Sequence, residues 1–325
     1  MLRKIFLIGG LSFLSFLIAN PREARAQRYP DRPIQIVVPF GVGGPNDIIA
    51  RLVGDQLGKE LKVPAPILNK PGAGGALGTS FAAQAKKDGY TLLVTSHASF
   101  ITAIIQPKNV NYDMEKDFEP LGKVAGLASA VLVKSNAPWK DLGELFNHIK
   151  KNPKTLSCGI AVVGTVPHFL WLTLNSMGFE TNGVIVANDP EGISYLKGGH
   201  VDMLILSVHP VAPHLQDKSF RGLAVTTEKR VKDFPEIPTF PEAGLPEIGF
   251  FPQFSGFFAP AGTPQPVLEI LSSGLEKAMK EPVVVDKLEK MHYSAEFQGP
   301  TEFKQMIHSF LQKIRPMAEK AKIIK

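Results

Sequence analysis

Short apolar runs alternate with longer amphipathic stretches along most of this chain, and this alternation constrains the fold more than any other feature. It is typical of strand, helix, strand units built on a largely parallel sheet. The first apolar run, 34–40, leads through glycines to Pro45, which suits the first position of a helix. Apolar residues then recur at helical spacing from Ile48 to Leu57. We therefore predict an α/β fold.

The same order of strand, loop and helix recurs further along the chain. A strand predicted at 90–95 ends in small polar residues, and another at 156–160 leads into a glycine-containing loop and a helix. Apolar runs at 131–133 and 257–259 are predicted to be strands that cross between two domains. A chain of this length usually divides into two domains. We place lobe 1 at 27–127 plus 255–325 and lobe 2 at 128–254.

The N-terminus has the order of a secretory signal peptide. Arg3 and Lys4 precede an apolar run at 5–18, and Ala24, Arg25 and Ala26 form a cleavage site of the A-x-A type. The apolar run is too short for a comfortable membrane span of about 20 residues. We therefore predict a signal peptide at 1–26 and export to the periplasm.

Composition excludes several classes of protein. The single cysteine, Cys158, rules out a disulfide within the chain and favours a buried structural thiol. The formal charge of +6 falls to roughly +3 without the basic leader, and the lysine pairs 86–87 and 150–151 lack interleaved aromatic residues. Nucleic acid is therefore not a predicted partner.

The usual cofactor, metal and hydrolase motifs are missing from the sequence. The glycine cluster 41–44 fails the dinucleotide pattern G-x-G-x-x-G because Asn46 stands where the third glycine belongs. Neither glycine cluster has a P-loop ending, and no G-x-S-x-G or H-E-x-x-H is present. We predict no cofactor, no metal site and no catalytic residue.

The loop at 41–47 is the most informative motif. Free backbone N–H groups and the positive end of a helix together make a site for a carboxylate or phosphate, and glycines allow close approach. A tight turn between strand and helix that binds nothing has the same composition. The residues alone leave both interpretations open.

Several segments together resemble the Bug family of extracytoplasmic solute receptors, the binding components of tripartite tricarboxylate transporters. The resemblance covers essentially the whole chain after the leader. The segments that carry it are 29–34 (YPDRPI), 38–51 (VPFGVGGPNDIIAR), 69–75 (NKPGAGG), 88–92 (DGYTL), 213–214 (PH), 221–226 (RGLAVT), 238–239 (PT), 242–246 (EAGLP) and 260–264 (PAGTP).

The resemblance implies a two-lobed fold like that of type II periplasmic binding proteins, with mostly parallel sheets flanked by helices and a hinge of crossing strands. It implies a small organic acid as ligand, membrane transporter subunits as partners, and a monomer without a cofactor. The ligand carboxylate would be held by the loop Phe40 to Asp47. The expected ligand-binding residues are Phe40, Gly41, Val42, Gly43, Gly44, Asn46, Asp47, Ser96, His97, Ser99, Gly164, Thr165, His168, Asn188, Asp189 and Ser207.

Two of these residues need comment. Asp47 falls in the first turn of its helix, where capping free N–H groups is more probable than direct contact with the ligand. Asp189 lies in a segment, 186–189, that departs from the family pattern. An acid there would repel a second ligand carboxylate, so we expect a ligand with one carboxylate or a compensating amine.

Two other classes of function stay open at this point. A periplasmic ligand-sensing partner of a receptor kinase could use the same fold. A secreted hydrolase would need a nucleophile with a base nearby, for which Ser96, His97, Thr165 and His168 are the available cluster.

Overall fold

The computed structural model describes residues 29–161 and 163–324, so the predicted signal peptide lies outside the described residues. Within those ranges the chain forms ten β-strands and ten α-helices. The strands are β1 Gln35–Val38, β2 Ile67–Asn69, β3 Thr91–Ser96, β4 Phe118–Leu127, β5 Ser129–Lys134, β6 Ser157–Ile160, β7 Asn182–Ile185, β8 Met203–Ser207, β9 Phe220–Val225 and β10 Gln253–Pro260. The helices are α1 Pro45–Leu61, α2 Ala76–Ala83, α3 His97–Ile105, α4 Leu142–Lys151, α5 Val166–Ser176, α6 Asp189–Gly198, α7 Val208–Gln216, α8 Gln265–Ala278, α9 Pro282–Lys290 and α10 Pro300–Lys320.

The strands form two sheets with the same plan. The first sheet has the order β2-β1-β3-β10-β4, with β1 parallel to β2 and β3 and with β10 antiparallel to both of its neighbours. The second has the order β7-β6-β8-β5-β9, with β6 parallel to β7 and β8 and with β5 reversed. Each sheet therefore has four strands in one direction and one against them. The predicted fold class, two lobes with mostly parallel sheets, is confirmed.

Lobe 1 consists of the first sheet with α1, α2, α3, α8, α9 and α10, and lobe 2 of the second sheet with α4 to α7. Buried apolar side chains of β1 and β3 pack between two layers of helices. In lobe 2 the thiol of Cys158, on β6, is fully buried, as the sequence predicts. Burial raises the pKa of this thiol, because desolvation penalises the thiolate.

Two crossings connect the lobes. On the first, Ala128 alone separates β4 from β5, and on the second the chain returns through 226–252 to β10. The crossings lie side by side, because the Thr226 N–H donates to the Ser129 carbonyl at 2.9 Å and the Ser129 N–H donates to the Thr226 hydroxyl at 2.9 Å. The Phe251 N–H adds a bond to the Thr226 carbonyl at 3.0 Å. The hinge thus consists of two backbone segments that are held together by hydrogen bonds.

An aromatic cluster packs against this hinge. The ring of Phe254, at the start of β10, lies 5.4 Å from Phe100 on α3, 5.3 Å from Phe303 and 5.7 Å from Phe310, the last two on α10. The Phe254 contacts are edge-to-face, an arrangement that aromatic pairs prefer. The cluster continues into buried residues of lobe 2 such as Phe169. One apolar core therefore runs through both lobes on this side of the molecule.

Helix α10 is the longest helix and joins the lobes. Its apolar stripe is buried, as the sequence predicts, and its far end reaches α5, where the Thr173 hydroxyl lies 3.6 Å from Sδ of Met317. The sequence predicts Thr301 as the cap of this helix, but the helix already begins at Pro300, because proline is preorganised for the first helical position. Among residues 29–161 and 163–324, no helix combines the length and the apolar character that a membrane span requires.

We predict that Phe310→Ala lowers the free energy of unfolding by about 3–5 kcal/mol, because it leaves a cavity in the core that the lobes share. Both tryptophans, Trp139 and Trp171, belong to lobe 2, whereas Phe310 is on a lobe 1 helix. The urea concentration at the midpoint of unfolding should therefore fall by the same amount whether tryptophan fluorescence or circular dichroism is recorded. The control, Phe81→Ala on the exposed side of α2, should cost about 1 kcal/mol or less. If the fluorescence midpoint of Phe310→Ala equalled that of the wild type, the shared core would be contradicted.

Candidate functional site

Six helices begin where a parallel strand ends, three in each lobe. Strands β1, β2 and β3 lead to α1, α2 and α3, and strands β6, β7 and β8 lead to α5, α6 and α7. Because the carboxyl ends of parallel strands meet at one edge of a sheet, the six helix N-termini gather at two edges. The crossings join the lobes at these same edges. The space between them, which we call the cleft, thus faces the positive ends of six helix dipoles.

The two sets of loops touch across the cleft. Gly164, in the loop between β6 and α5, lies so close to α3 that a Cβ atom there would be 2.7 Å from Cδ1 of Ile105. At the hinge end the Ser207 hydroxyl donates to Oε1 of Gln253 at 3.2 Å. Gln253 also bonds Ser129, so one buried amide links β8, β10 and β5.

The loop from Phe40 to Asp47 folds back on itself before α1. Gly43 has φ +80°, a backbone conformation that favours glycine, and its N–H donates to the Asp47 carboxylate at 2.9 Å. The Gly44 N–H donates to the Gly41 carbonyl at 3.3 Å. Between the glycines the Val42 side chain is 75% exposed. The loop is therefore held tightly while its tip stays open to the cleft.

Asp47 is the anchor of this loop. Its carboxylate is 1% exposed and accepts two hydrogen bonds from Arg51 at 2.9 Å each, and one from the Asn69 amide at 2.8 Å. Burial alone would raise the pKa of Asp47, but these bonds and the Gly43 N–H more than offset it and lower the pKa to about 2. The same Asn69 amide donates to the Phe40 carbonyl at 3.2 Å. With its oxygens committed in this way, Asp47 has a structural role.

A buried polar chain connects the loop to the hinge. The Asn46 amide donates to the Ser96 hydroxyl at 3.3 Å and accepts from the Ser255 hydroxyl at 2.8 Å. The Ser96 oxygen also accepts the Ala98 N–H at 3.4 Å, so Ser96 caps α3. Three separate elements, α1, β3 and β10, thus meet in one buried polar cluster.

His97 and Ser99 follow on α3. Nδ1 of His97 lies 3.3 Å from the Phe254 backbone nitrogen and 3.4 Å from the Phe254 carbonyl oxygen, so the ring is bonded to the backbone of β10. Burial lowers the pKa of His97 to about 4, so the ring is neutral at neutral pH. The Ser99 hydroxyl is fully buried against Thr95 at 2.6 Å, beneath Gly75, whose missing side chain makes room for it. Ser99 therefore supports the cleft from below.

In lobe 2 the predicted residues shape the loops. His168 is buried, and its Nδ1 accepts the Gly164 N–H at 3.3 Å, while burial lowers the pKa of its ring. Thr165, half-buried, occupies the N-cap position of α5. Asn188 caps α6 by accepting the Glu191 N–H at 2.9 Å. These contacts hold the two loops in place.

Asp189 lies in the first turn of α6, half-buried beside the cleft. Burial raises the pKa of Asp189, and the nearby His209 opposes this rise. Nδ1 of His209 in turn lies 2.8 Å from the Met291 carbonyl of lobe 1. A carboxylate at this position gives the lobe 2 side of the cleft an acidic character.

Four contributors were not predicted as site residues. Arg51 and Asn69 hold Asp47, and Gln253 and Ser255 supply the hinge side of the polar chain. Arg51 could have been found from its position four residues after Asp47, where opposite charges meet on a helix. Gln253 and Ser255 carry no comparable signal, because their partners are distant in sequence.

The cluster proposed for a hydrolase lacks the arrangement that catalysis needs. A nucleophilic serine must share a hydrogen bond with its base. Within the described residues no hydrogen bond joins Ser96 to a histidine: His97 is bonded to the Phe254 backbone and His168 to the Gly164 N–H. The Ser96 hydroxyl is bonded to the Asn46 amide and the Ala98 N–H instead.

A hinged, two-lobed chain whose cleft is faced by helix N-termini has the features of a solute-binding receptor. The family model described as Tripartite tricarboxylate transporter family receptor matches residues 49–323, and the chain belongs to this family. The resemblance to Bug receptors is thereby confirmed. The family is one of receptors and not of enzymes, which sets the hydrolase alternative aside.

Similar proteins support this membership. An UPF0065 protein encoded in the tcbD-tcbE intergenic region of Pseudomonas sp. (strain P51) is 33% identical over 280 residues, covering 86% of this chain and 83% of the relative. MatC of Rhodopseudomonas palustris, solved with bound malate, is 26% identical with a TM-score of 0.67, covering 89% of this chain and 99% of that one. R. palustris Rpa4515, solved with adipate, is 25% identical with a TM-score of 0.70, covering 90% and 98%.

We predict that Asp47→Asn lowers the free energy of unfolding at pH 7 by about 2 kcal/mol, because the ionised carboxylate is more strongly bound in the folded state. The folded pKa, about 2, lies below the ordinary 3.8, so this stabilisation is present above about pH 4 and is lost as the pH falls towards 2. Urea unfolding at a series of pH values should show the wild type and the variant converging in acid. Asp55→Asn, on the exposed side of α1, is the control. A constant difference down to pH 2 would contradict the assignment.

Proposed function

We propose that this chain captures a small organic carboxylate in the cleft and delivers it to the membrane subunits of a tripartite tricarboxylate-type transporter. The observation that carries the proposal is the Phe40 to Asp47 loop, which is prearranged by the buried Asp47 and open at its tip to the cleft. Backbone N–H groups at a helix N-terminus bind carboxylates without further charge. The malate and adipate held by related receptors support this ligand class.

The mechanism is binding without covalent chemistry, and it uses no cofactor. One end of the ligand contacts the lobe 1 loop and the residues that follow β3, and the other end contacts the loops of lobe 2. A ligand that touches both lobes favours the closed arrangement, and the transporter reads closure as occupancy. The paired crossings at Ala128 and Thr226 are the axis of this motion.

The cellular setting belongs to the same proposal. Residues 1–26 act as the signal peptide, and the receptor works in the periplasm as a monomer. The rotating units are 27–127 plus 255–325 and 128–254.

We expect purified protein lacking residues 1–26 to melt at a higher temperature with at least one acid from a panel of dicarboxylates, tricarboxylates, acidic amino acids and aromatic acids, by roughly 5 °C at a hundredfold excess over Kd. Ser96→Ala should weaken binding about fivefold in calorimetric titration, because it removes a partner of Asn46 from the cleft floor. Ser176→Ala, exposed at the far end of α5, should bind normally. If no organic acid raised the melting temperature, the proposed ligand class would be wrong.

The lobe 2 side favours a ligand whose far end is weakly charged. Arg51 is committed to Asp47, and Asp189 places a carboxylate beside the cleft. Val42 and Val163, from opposite lobes, are 75% and 44% exposed on their loops. We therefore propose a ligand with one carboxylate at the lobe 1 loop and an apolar body or an amine towards lobe 2.

We expect Asp189→Asn to tighten the binding of malate, a dicarboxylate, several-fold relative to wild type, because it removes a like charge from the cleft. The control Glu180→Gln removes the same charge from lobe 2 but lies just before β7, at the edge of the sheet away from the cleft. Isothermal titration with malate and with acetate, which has no second carboxylate, separates the effects. An equal gain for both acids would contradict the proposed role of Asp189.

A further inference from the structure

A cavity of about 760 Å³ lies between the lobes beside the crossing strands, with Leu127, Ala128 and Gln253 in its lining. One wall belongs to lobe 1: the end of β4, part of α10, and the segment 291–298, which pairs with the outer edge of β4 through Ser294 and Gln298. The other wall is the segment 227–233 of lobe 2, which follows β9. The cavity is therefore built between the lobes, next to the hinge.

Lys123 is the unusual residue of this cavity. It lies on β4 and is only 9% exposed, and its side chain runs along the strand past Gly126, where a Cβ atom would be 3.6 Å from Nζ. The Lys123 N–H donates to the Gln298 carbonyl at 3.0 Å, and the Gln298 N–H donates to the Lys123 carbonyl at 3.2 Å. Within the described residues its ammonium has no hydrogen bond or ion pair. The side chain is largely buried, and an ammonium that lines a cavity without a protein partner is free to pair with an anion there.

The other basic side chains on the walls have acidic partners, unlike Lys123. The pairs are Lys229 with Glu296 at 3.8 Å, Arg230 with Glu242 at 2.9 Å, Lys232 with Glu289 at 2.8 Å, and His292 with Asp233 at 2.6 Å. Two further acids on the walls, Glu228 and Glu302, are exposed, so water and salt screen them. Burial lowers the pKa of Lys123, and Glu296 and Glu228 oppose this only from beyond contact distance.

The remainder of the wall is apolar and aromatic. Phe250, Pro252, Tyr293 and Met306 face the cavity from both sides. Its volume falls in the range of small-molecule sites, which are mostly apolar with a few convergent polar groups. Such a wall suits the hydrocarbon part of an organic acid better than an inorganic ion.

We propose that this cavity is a second binding site, for a small organic anion whose acid group pairs with Lys123 and whose apolar body packs against Phe250 and Tyr293. The site is distinct from the cleft loops, because its lining includes Gln253 at the hinge but none of the residues 40–47, 96–99 or 164–168. Since its walls come from both lobes, its ligand contacts the two sides of the hinge.

Fluorine NMR with para-fluorobenzoate as the probe tests this site. Wild-type protein should broaden the probe signal, and Lys123→Met should weaken binding about tenfold, because it removes the charged partner while keeping the length of the side chain. Lys123→Arg should retain binding. The control Lys280→Met removes the same charge from an exposed pair with Glu276 and should bind within about twofold of wild type.

A second variant distinguishes binding at this site from binding in the cleft. In Asn46→Ala, which breaks the polar floor of the cleft, the part of probe binding that depends on Lys123 should persist. Circular dichroism should show Lys123→Met folded, since removal of an unpaired buried charge does not destabilise. Equal binding by wild type and Lys123→Met, or no binding by wild type at millimolar probe, would overturn the second site. Loss of Lys123-dependent binding in Asn46→Ala would assign the probe to the cleft instead.

Discussion

The paired crossings of the backbone are the constraint on which the rest of the structure depends. One strand of each sheet, β5 or β10, must run against the others, because the chain leaves lobe 1 and later returns to it. Bonds between Ser129 and Thr226 hold the two crossings together. As a result the carboxyl ends of the parallel strands in both sheets lie at the edges where the lobes join. Six helix N-termini then face one space without any side chain having to bring them there.

Fixed charge in this receptor supports the geometry of the site. Asp47 is buried, and its oxygens accept hydrogen bonds from Arg51, Asn69 and the Gly43 N–H. The carboxylate thereby sets the path of the glycine loop, and in the function proposed above the recognition of an acid falls to backbone groups. His97 and His168 are similar, because burial lowers the pKa of each ring and each ring is bonded to a backbone group. Polar side chains hold the loops, and the loops present the peptide groups.

Regular patterns were predictable from the sequence, and irregular or distant ones were not. The strand, glycine loop and helix at β1 and α1 are read directly from local spacing, as are the apolar stripes of α8 and α10. Strand β4 was missed because Pro120 and the glycines within it break the pattern, which an edge strand tolerates. Helix α7 was not predicted either, because its prolines interrupt the helical pattern. The hydrogen bond between Asn46 and Ser255 joins residues 209 positions apart, so no local sequence pattern predicts it.

The buried thiol of lobe 2 has a practical consequence for watching the hinge. Cys158 is the only cysteine, it is fully enclosed, and desolvation keeps it in the unreactive thiol form. A cysteine introduced at an exposed position on either lobe would therefore be the one that a maleimide dye or a spin label attacks. Lobe rotation can thus be recorded as a change in the distance between two labels or in the colour of a dye. The wild-type protein, whose one thiol is enclosed, would take up no label and serves as the control.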